Sequence, residues 1–374
     1  MTPEGAEGLP RKRDLDGLRG VAVLLTIFLH YVCRSGFFTS LGPRRLALLL
    51  DSSWSGVDIF FVLSGFLIGG ITIDHGHAEN FFRVFYLRRA LRILPLAILT
   101  IAFSYLILPL LNPSILWGAQ VPPYAYLLFI NNIWTSLGRS PYIPLGSMWS
   151  LAIEEQFYLI APVLLKSVGP RTRNLTLLAV MIISPLLRIG NLGPSSWDFT
   201  FFRLDGLATG ILIAGLLREP RSREFAVRNR GSINAVVIGL VGVTLLFSSA
   251  PQYSDLQRVA FGVSLNSLAA GGVILSLQIA PRSWVSKSLS QSWLVTTGRY
   301  SYFLYLMHIP ILSYTMAAYI IRPSVLYLVI ALGSTFAGAW VSWRFLESKL
   351  VLLGKQYSYT APSVGSVTPL RRSA

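Results

Sequence analysis

Asp16-Gly17-Leu18-Arg19-Gly20-Val21-Ala22-Val23-Leu24-Leu25-Thr26-Ile27-Phe28-Leu29-His30 is an apolar stretch with an arginine near its start and a histidine near its end. Read as a helix, Arg19 and His30 are 11 residues apart. That is about 1,100° of rotation, roughly 20° past three turns, so the two share a face about 16 Å apart along the axis. Asp16 and Thr26 fall near the same stripe. Every other side is Leu, Val, Ile, Phe or Ala. Such a helix turns its polar stripe toward a bundle interior and its remaining surface toward lipid or neighbouring helices.

The whole chain agrees with that reading. Of 374 residues, 53% are hydrophobic and 13% charged, and the mean hydropathy is +0.58. This is too apolar for a soluble globular protein and predicts an all-α, polytopic protein of the inner (plasma) membrane. The formal net charge is +16. A nucleic-acid binder could carry it, but the cations sit in short segments between apolar runs, which is a membrane-topology pattern. The bilayer, not nucleic acid, is the expected partner. Cys33 is the single cysteine, which excludes an intrachain disulfide and a multi-cysteine metal site. Arg11-Lys12-Arg13 resembles the start of a signal peptide, but no small-residue cleavage site follows, so the first span reads as a retained anchor.

Ten spans are predicted, at about 17–34, 53–73, 93–111, 147–168, 174–190, 199–217, 232–249, 258–279, 300–320 and 325–346. Residues 1–13 read as a cytoplasmic tail, 14–350 as one transmembrane domain and 351–374 as a disordered cytoplasmic tail. Arg83, Arg88, Arg89 and Arg92 read as a basic linker before the third span. The stretch 124–134, inside the proline-rich loop 112–146, is too short to cross and reads as interfacial or re-entrant. With both ends in the cytoplasm, most of the 32 lysines and arginines lie on the inner side. Only Arg34, Arg44, Arg45, Arg139, Arg188, Arg258 and Arg322 lie outside, as the positive-inside rule requires.

Ionisable groups inside a membrane are expensive, so each is a functional candidate. His30, Asp58, Glu154, Glu155, Arg203, Asp205 and His308 come from five helices and are expected to converge on one polar cavity. Ser147, Ser150, Glu154 and Tyr158 share a face by their spacing, and Ser64 lies near the middle of the second span. A structural reading stands beside each, because polar side chains also bridge helices. Asp58, Asp205 and Arg203 fit pairing as well as chemistry. Asp16 reads as a helix cap, and Gly206-x-x-x-Gly210 as close helix packing. His75 and His77 lack a carboxylate partner and do not make a metal site. Arg89 and Arg92 are three residues apart. Guanidinium groups grip phosphates bidentately, so with Arg88 they fit either an anionic ligand or plain anchoring.

Several stretches together resemble the membrane-bound acyltransferase-3 family. They are Asp16-Gly-Leu-Arg19-Gly with His30, then Val57-Asp58-Ile-Phe-Phe-Val-Leu-Ser64-Gly-Phe-Leu-Ile68. Phe85-Tyr-Leu-Arg88-Arg89-Ala-Leu-Arg92-Ile-Leu-Pro95 and Trp149-Ser-Leu-Ala-Ile-Glu154-Glu155-Gln-Phe-Tyr158 follow. Arg203-Leu-Asp205-Gly and Tyr300-Ser-Tyr-Phe-Leu-Tyr-Leu-Met-His308 complete the set. The order matches over about 14–347. One departure is at Glu347, which is followed by Ser348 where relatives often have proline. The resemblance implies transfer of an acyl group, usually acetyl, from cytoplasmic acyl-coenzyme A to a hydroxyl. Its acceptors include carbohydrates, glycolipids and macrolide antibiotics. It associates the counterparts of Arg19, His30, Arg89 and Arg92 with activity. On that basis His30 is the expected base, assisted by Glu154 or Glu155 and Arg19. Arg88, Arg89 and Arg92 are the expected donor site, with no metal. Asp58, Ser64, Tyr158, Arg203, Asp205 and His308 are the expected acceptor side. A transporter or flippase is the competing reading, disfavoured because no internal repeat is evident.

Overall fold

Apolar runs of this length have one stable form in lipid, because a helix satisfies its own backbone groups. The computed structural model describes residues 12–33, 54–111, 113–116, 118–190, 198–249, 258–319 and 325–360. Among them every regular element is a helix. Among the described residues the principal helices fall along the predicted apolar runs. α1 is Arg13–Phe28, prolonged by a π-helical turn, Leu29–Cys33. α2 is Ser55–His75 and α3 is Phe81–Ala102, the latter continuing through a π-helical turn, Phe103–Ile107. α4 is Met148–Ser167, α5 Pro170–Gly190 and α6 Leu204–Leu216. α7 is Arg230–Ser249, α8 Val263–Ile279 and α9 Ser292–Tyr319. α10 is Val325–Ser342, extended through Trp343–Glu347 into Ser348–Lys355.

Eight of these are long and apolar enough to cross a membrane. The others are α6 and α9. α6 has 13 residues, about 20 Å at 1.5 Å per residue, against a hydrocarbon core of about 30 Å. α9 is long, but Tyr300, Ser301, Tyr302, Tyr305 and His308 interrupt its apolar surface. The chain is a multi-pass protein of the plasma membrane.

α2 lies at the centre, packed on α1, α4, α6 and α8, with 67% of its span buried. α5 and α7 are peripheral, with 17% buried in each. Their Ile182, Leu186, Val236 and Ile238 are exposed and face where lipid would be. Several helix contacts are so close that only glycine fits, among them one on α9 and one on α6. A Cβ on Gly298 of α9 would lie 1.8 Å from the Asp16 carbonyl oxygen of α1. One on Gly210 of α6 would lie 2.1 Å from the Val62 carbonyl oxygen of α2. The Gly206-x-x-x-Gly210 spacing therefore serves helix packing.

The structure corrects four expectations. α3 begins at Phe81, so Arg83, Arg88, Arg89 and Arg92 stand on a helix, not in a linker. Hydropathy marks the apolar core, whereas arginine stems let a helix run past it with the charge at the surface. Asp16 is not a cap: α1 starts at Arg13, so Asp14 and Asp16 lie in its first turn, near the positive end of the helix dipole. Residues 351–360 are not disordered, because α10 runs on to Lys355 and the segment after it is tied down. There Asn80 donates to the Ser358 carbonyl at 3.0 Å and accepts from the Thr360 amide at 3.0 Å. Arg188 is not an outer-loop charge: it is fully buried at the end of α5. Residues 1–11 and 361–374 lie outside the described residues. Within the 112–146 loop, Pro123–Leu127 and Asn131–Ser136 form short helices; neither is long enough to cross.

Candidate active site

Helical spacing turns Arg19 of α1 and Arg89 and Arg92 of α3 toward a common space. All three line a cavity of about 90 Å³ that runs inward to Ser64, Ser150, Glu154, Tyr158 and Tyr305. The same three arginines, with Arg299 and Glu347, line an adjoining space of about 230 Å³. A third space of about 200 Å³ adds Arg88 and Lys355 to Arg89 and Arg92. A fourth, of about 480 Å³, is bordered by Lys12, Asp16, Arg19, Asp74, Arg88, Arg218 and Lys355. Shared lining residues make these one basin. Its cations outnumber its carboxylates, which are Asp16, Asp74, Glu154 and Glu347. Asp74 is bound by Arg218 through two contacts of 2.6 Å, and Asp16 lies 3.4 Å from Arg19. Arg89 stacks over the Tyr158 ring at 4.8 Å. Arg88 donates to the Gly354 carbonyl at 3.2 Å and to that of Tyr357, and stacks over Tyr359 at 5.1 Å. It thus ties down the segment after α10. At the rim, burial pushes the Lys12 ammonium below its ordinary range, Asp14 pulls it back up, and Arg223 adds a smaller downward push.

At the inner end of the basin, Ser64 of α2 donates to Glu154 Oε1 at 2.7 Å. The Tyr158 hydroxyl lies 3.0 Å from Glu154 Oε2 and 3.1 Å from Ser64 Oγ. The shared α4 face read from the sequence places these groups together. It also separates the two glutamates. Glu154 lines the basin, whereas Glu155 does not, and Glu155 Oε1 is buried without a hydrogen-bond partner among the described residues.

The histidines lie beyond Tyr305. Its hydroxyl bonds to Ser150 Oγ and donates to the Ser147 carbonyl at 3.1 Å. The Tyr305 ring is 5.8 Å from the His308 ring, which is 4.9 Å from the His30 ring. His308 is completely buried and His30 partly so. Phe60 and Tyr305, 5.7 Å apart, form the aromatic wall on that side of the cavity. His30 does not line the four spaces of the basin; His308 stands between it and Tyr305.

A family model described as an acyltransferase domain, of the acyltransferase-3 type, matches residues 12–344. The chain belongs to the acyltransferase-3 family. It is 28% identical to the peptidoglycan O-acetyltransferase OatA of Listeria monocytogenes over 90% of this chain and 55% of that protein. It is 25% identical to the O-acetyltransferase OatA of Staphylococcus aureus over 90% of this chain and 56% of that protein. The chain thus spans just over half the length of the curated relatives it matches. No solved structure matches it.

In this acyltransferase-3 chain the remaining acidic and basic residues form a separate group. Arg203 bonds Asp58 Oδ1 at 2.6 Å, and Asn266 of α8 donates to Asp58 Oδ2 at 2.9 Å. Arg188 bonds Asp205 Oδ2 at 2.8 Å, and Ser264 donates to the same oxygen at 2.7 Å. All four charged residues are buried. Arg203 also lies 5.4 Å from the Phe61 and Trp149 rings. Phe61 lines the cavity on its other side, so it separates this cluster from the basin. Asp58, Arg203 and Asp205 therefore do not line the basin with Ser64 and Tyr158. Sequence reading did not find Arg188 and Asn266 as the partners here, although an arginine within an apolar run is itself a signal of pairing. It also passed over Tyr305, Arg299 and Lys355. On the loop side, Gln156 donates to Asn132 at 2.9 Å and accepts from Thr200 at 2.6 Å. Burial pushes the nearby Asp198 carboxyl up to about 6, against the pull of Thr135 and Arg203. Among the described residues, no group of His, Cys, Asp or Glu has the makings of a metal site.

Proposed function

We propose that this protein transfers an acyl group, acetyl in the first instance, from acyl-coenzyme A to a hydroxyl of a carbohydrate acceptor at the membrane. The observation that carries the reading is the cation-rich basin narrowing from Arg88 and Lys355, past Arg19, Arg89 and Arg92, to Glu154. A donor with several phosphates suits guanidinium groups at a water-facing mouth, and its thin acyl arm suits the narrow inner cavity. The positive-inside pattern supports putting that mouth in the cytoplasm. The name of the Listeria relative, a peptidoglycan O-acetyltransferase, supports a cell-wall glycan as acceptor.

In the proposed reaction His30 takes the proton of the acceptor hydroxyl as its oxygen attacks the thioester carbonyl. The tetrahedral intermediate collapses, the carbon–sulfur bond breaks, and the departing thiolate takes the proton held on His30, which restores the neutral base. General-base help of this kind contributes about 10²–10⁴-fold. Glu154, held by Ser64 and Tyr158, orients a hydroxyl of the bound sugar. Membranes containing the full chain, labelled acetyl-coenzyme A and soluble peptidoglycan fragments test this. Label is expected in the glycan with the native chain and not with His30→Ala at equal membrane expression. Transfer by His30→Ala at the native rate would remove His30 from the reaction.

A further inference from the structure

The contact between His30 and His308 joins residues 278 positions apart, and its hydrogen bonding determines which nitrogen carries each proton. His308 Nδ1 lies 2.6 Å from the Tyr305 carbonyl oxygen. A carbonyl only accepts, so Nδ1 carries the hydrogen, and in a neutral ring Nε2 keeps the lone pair. His30 Nδ1 lies 2.9 Å from the Thr26 carbonyl oxygen and 3.3 Å from His308 Nε2. Both neighbours are acceptors, so His30 Nδ1 is the donor, shared between them. The basic nitrogen of neutral His30 is then Nε2. The π-helical turn at Leu29–Cys33 places the ring where it reaches back to Thr26. Such turns occur frequently at functional sites.

His308 is itself held rigidly. The Tyr31 hydroxyl lies 2.8 Å from the His308 carbonyl oxygen and 2.7 Å from Thr335 Oγ1. This ties α1, α9 and α10 together around the ring. The pairing therefore has one geometry, set by three helices.

We propose that His308 is the positioning residue for His30: it fixes the Nδ1–H tautomer and strengthens its hydrogen bond as His30 becomes positively charged. This rests on His30 acting as the base. When His30 Nε2 takes the acceptor's proton, the ring charge is shared with Nδ1–H, and hydrogen bonds to charged groups are stronger than neutral ones. The gain belongs to the transition state and not to donor binding, so it raises kcat. His308 does not pass the proton on. Its own Nδ1–H is held by the backbone carbonyl of Tyr305, which only accepts. Sequence reading placed His308 with the acceptor; the contacts assign it to the base.

The test compares His30→Ala, His308→Leu and His308→Gln in the purified full chain. The readouts are thermal unfolding and release of coenzyme A thiol from acetyl-coenzyme A with peptidoglycan fragments as acceptor. An amide oxygen at position 308 can accept from His30 Nδ1–H; leucine cannot. His308→Leu is expected to lower kcat by about 10- to 100-fold with donor KM within about twofold. His308→Gln is expected to recover most of the rate. Equal rates for His308→Gln and His308→Leu, or a native rate for His308→Leu, would overturn the positioning role while His30→Ala stays inactive. A native rate for His30→Ala would instead overturn the base itself. If His308→Leu does not fold, a His308→Gln variant that folds but turns over no faster than His30→Ala also overturns the proposal.

Discussion

Two regions of this bundle use the same kinds of residue and treat them differently. Around Asp58 and Asp205 each carboxylate meets a guanidinium, Arg203 or Arg188, and all four are buried. Around Arg89 and Arg92 the cations border open space and outnumber the carboxylates beside them. Asp58 and Ser64 stand six residues apart on α2, and one faces each region. Charge inside a membrane is thus not by itself a mark of chemistry. A charge matched by a buried partner holds helices together, whereas a cation-rich group bordering a cavity has the chemistry to suit an anionic ligand.

The comparison predicts opposite consequences for mutation. The largest effect belongs to the paired cluster. Asp58→Ala leaves Arg203 buried beside a lost partner and is expected to cost about 3–5 kcal/mol of stability. Thermal unfolding and membrane yield would register it. Replacing both members, Asp58→Leu with Arg203→Leu, should restore most of the loss, since a well-packed apolar pair often equals a buried ion pair. A double variant as unstable as the single would show that the cluster does more than balance charge.

Much of the fold was legible because hydrophobic runs are long and unambiguous in this chain, and the helices fall where those runs do. The helix ends were not. The first turns of α3 and the extension of α10 to Lys355 are amphipathic and basic, and hydropathy reads such turns as linker. The site was legible where it depends on spacing within one helix: Glu154 with Tyr158, or Arg89 with Arg92. It was not legible where it depends on contact between helices. Nothing in the sequence near His30 points to His308, nor anything near Asp58 to Asn266. The same limit merged the basin, the paired cluster and the histidine pair into one expected cavity, since spacing along a helix carries depth in the membrane but not the walls that Phe61 and Tyr305 make.

Smaller effects sharpen the contrast. Ser64→Ala removes one donor to Glu154, a hydrogen bond contributing about 0.5–1.5 kcal/mol. Acyl transfer should fall about 2- to 10-fold, with the unfolding temperature lowered far less than by Asp58→Ala. A large loss of stability would place Ser64 with the paired cluster instead. Asp198 borders that cluster through Arg203, and its carboxyl is raised to about 6 by burial. Its unfolded value is about 3.9, so the folded state holds the proton more tightly. The stability this contributes is complete below that unfolded value and is lost as pH rises through about 6. Asp198→Asn should therefore flatten the stability–pH curve between these values. An unchanged slope would remove Asp198 from that role.

The central claim is that the cations lining the basin, and not those of the Asp58–Asp205 cluster, receive the acyl donor. The direct measurement is acetyl-coenzyme A affinity in the purified full chain, compared between Arg89→Ala with Arg92→Ala and Asp58→Leu with Arg203→Leu. The account predicts at least about tenfold weaker binding for the first, from lost charge-assisted bonds to phosphate. It predicts native affinity for the second. Native affinity without Arg89 and Arg92, or a loss confined to the Asp58 and Arg203 variant, would contradict it.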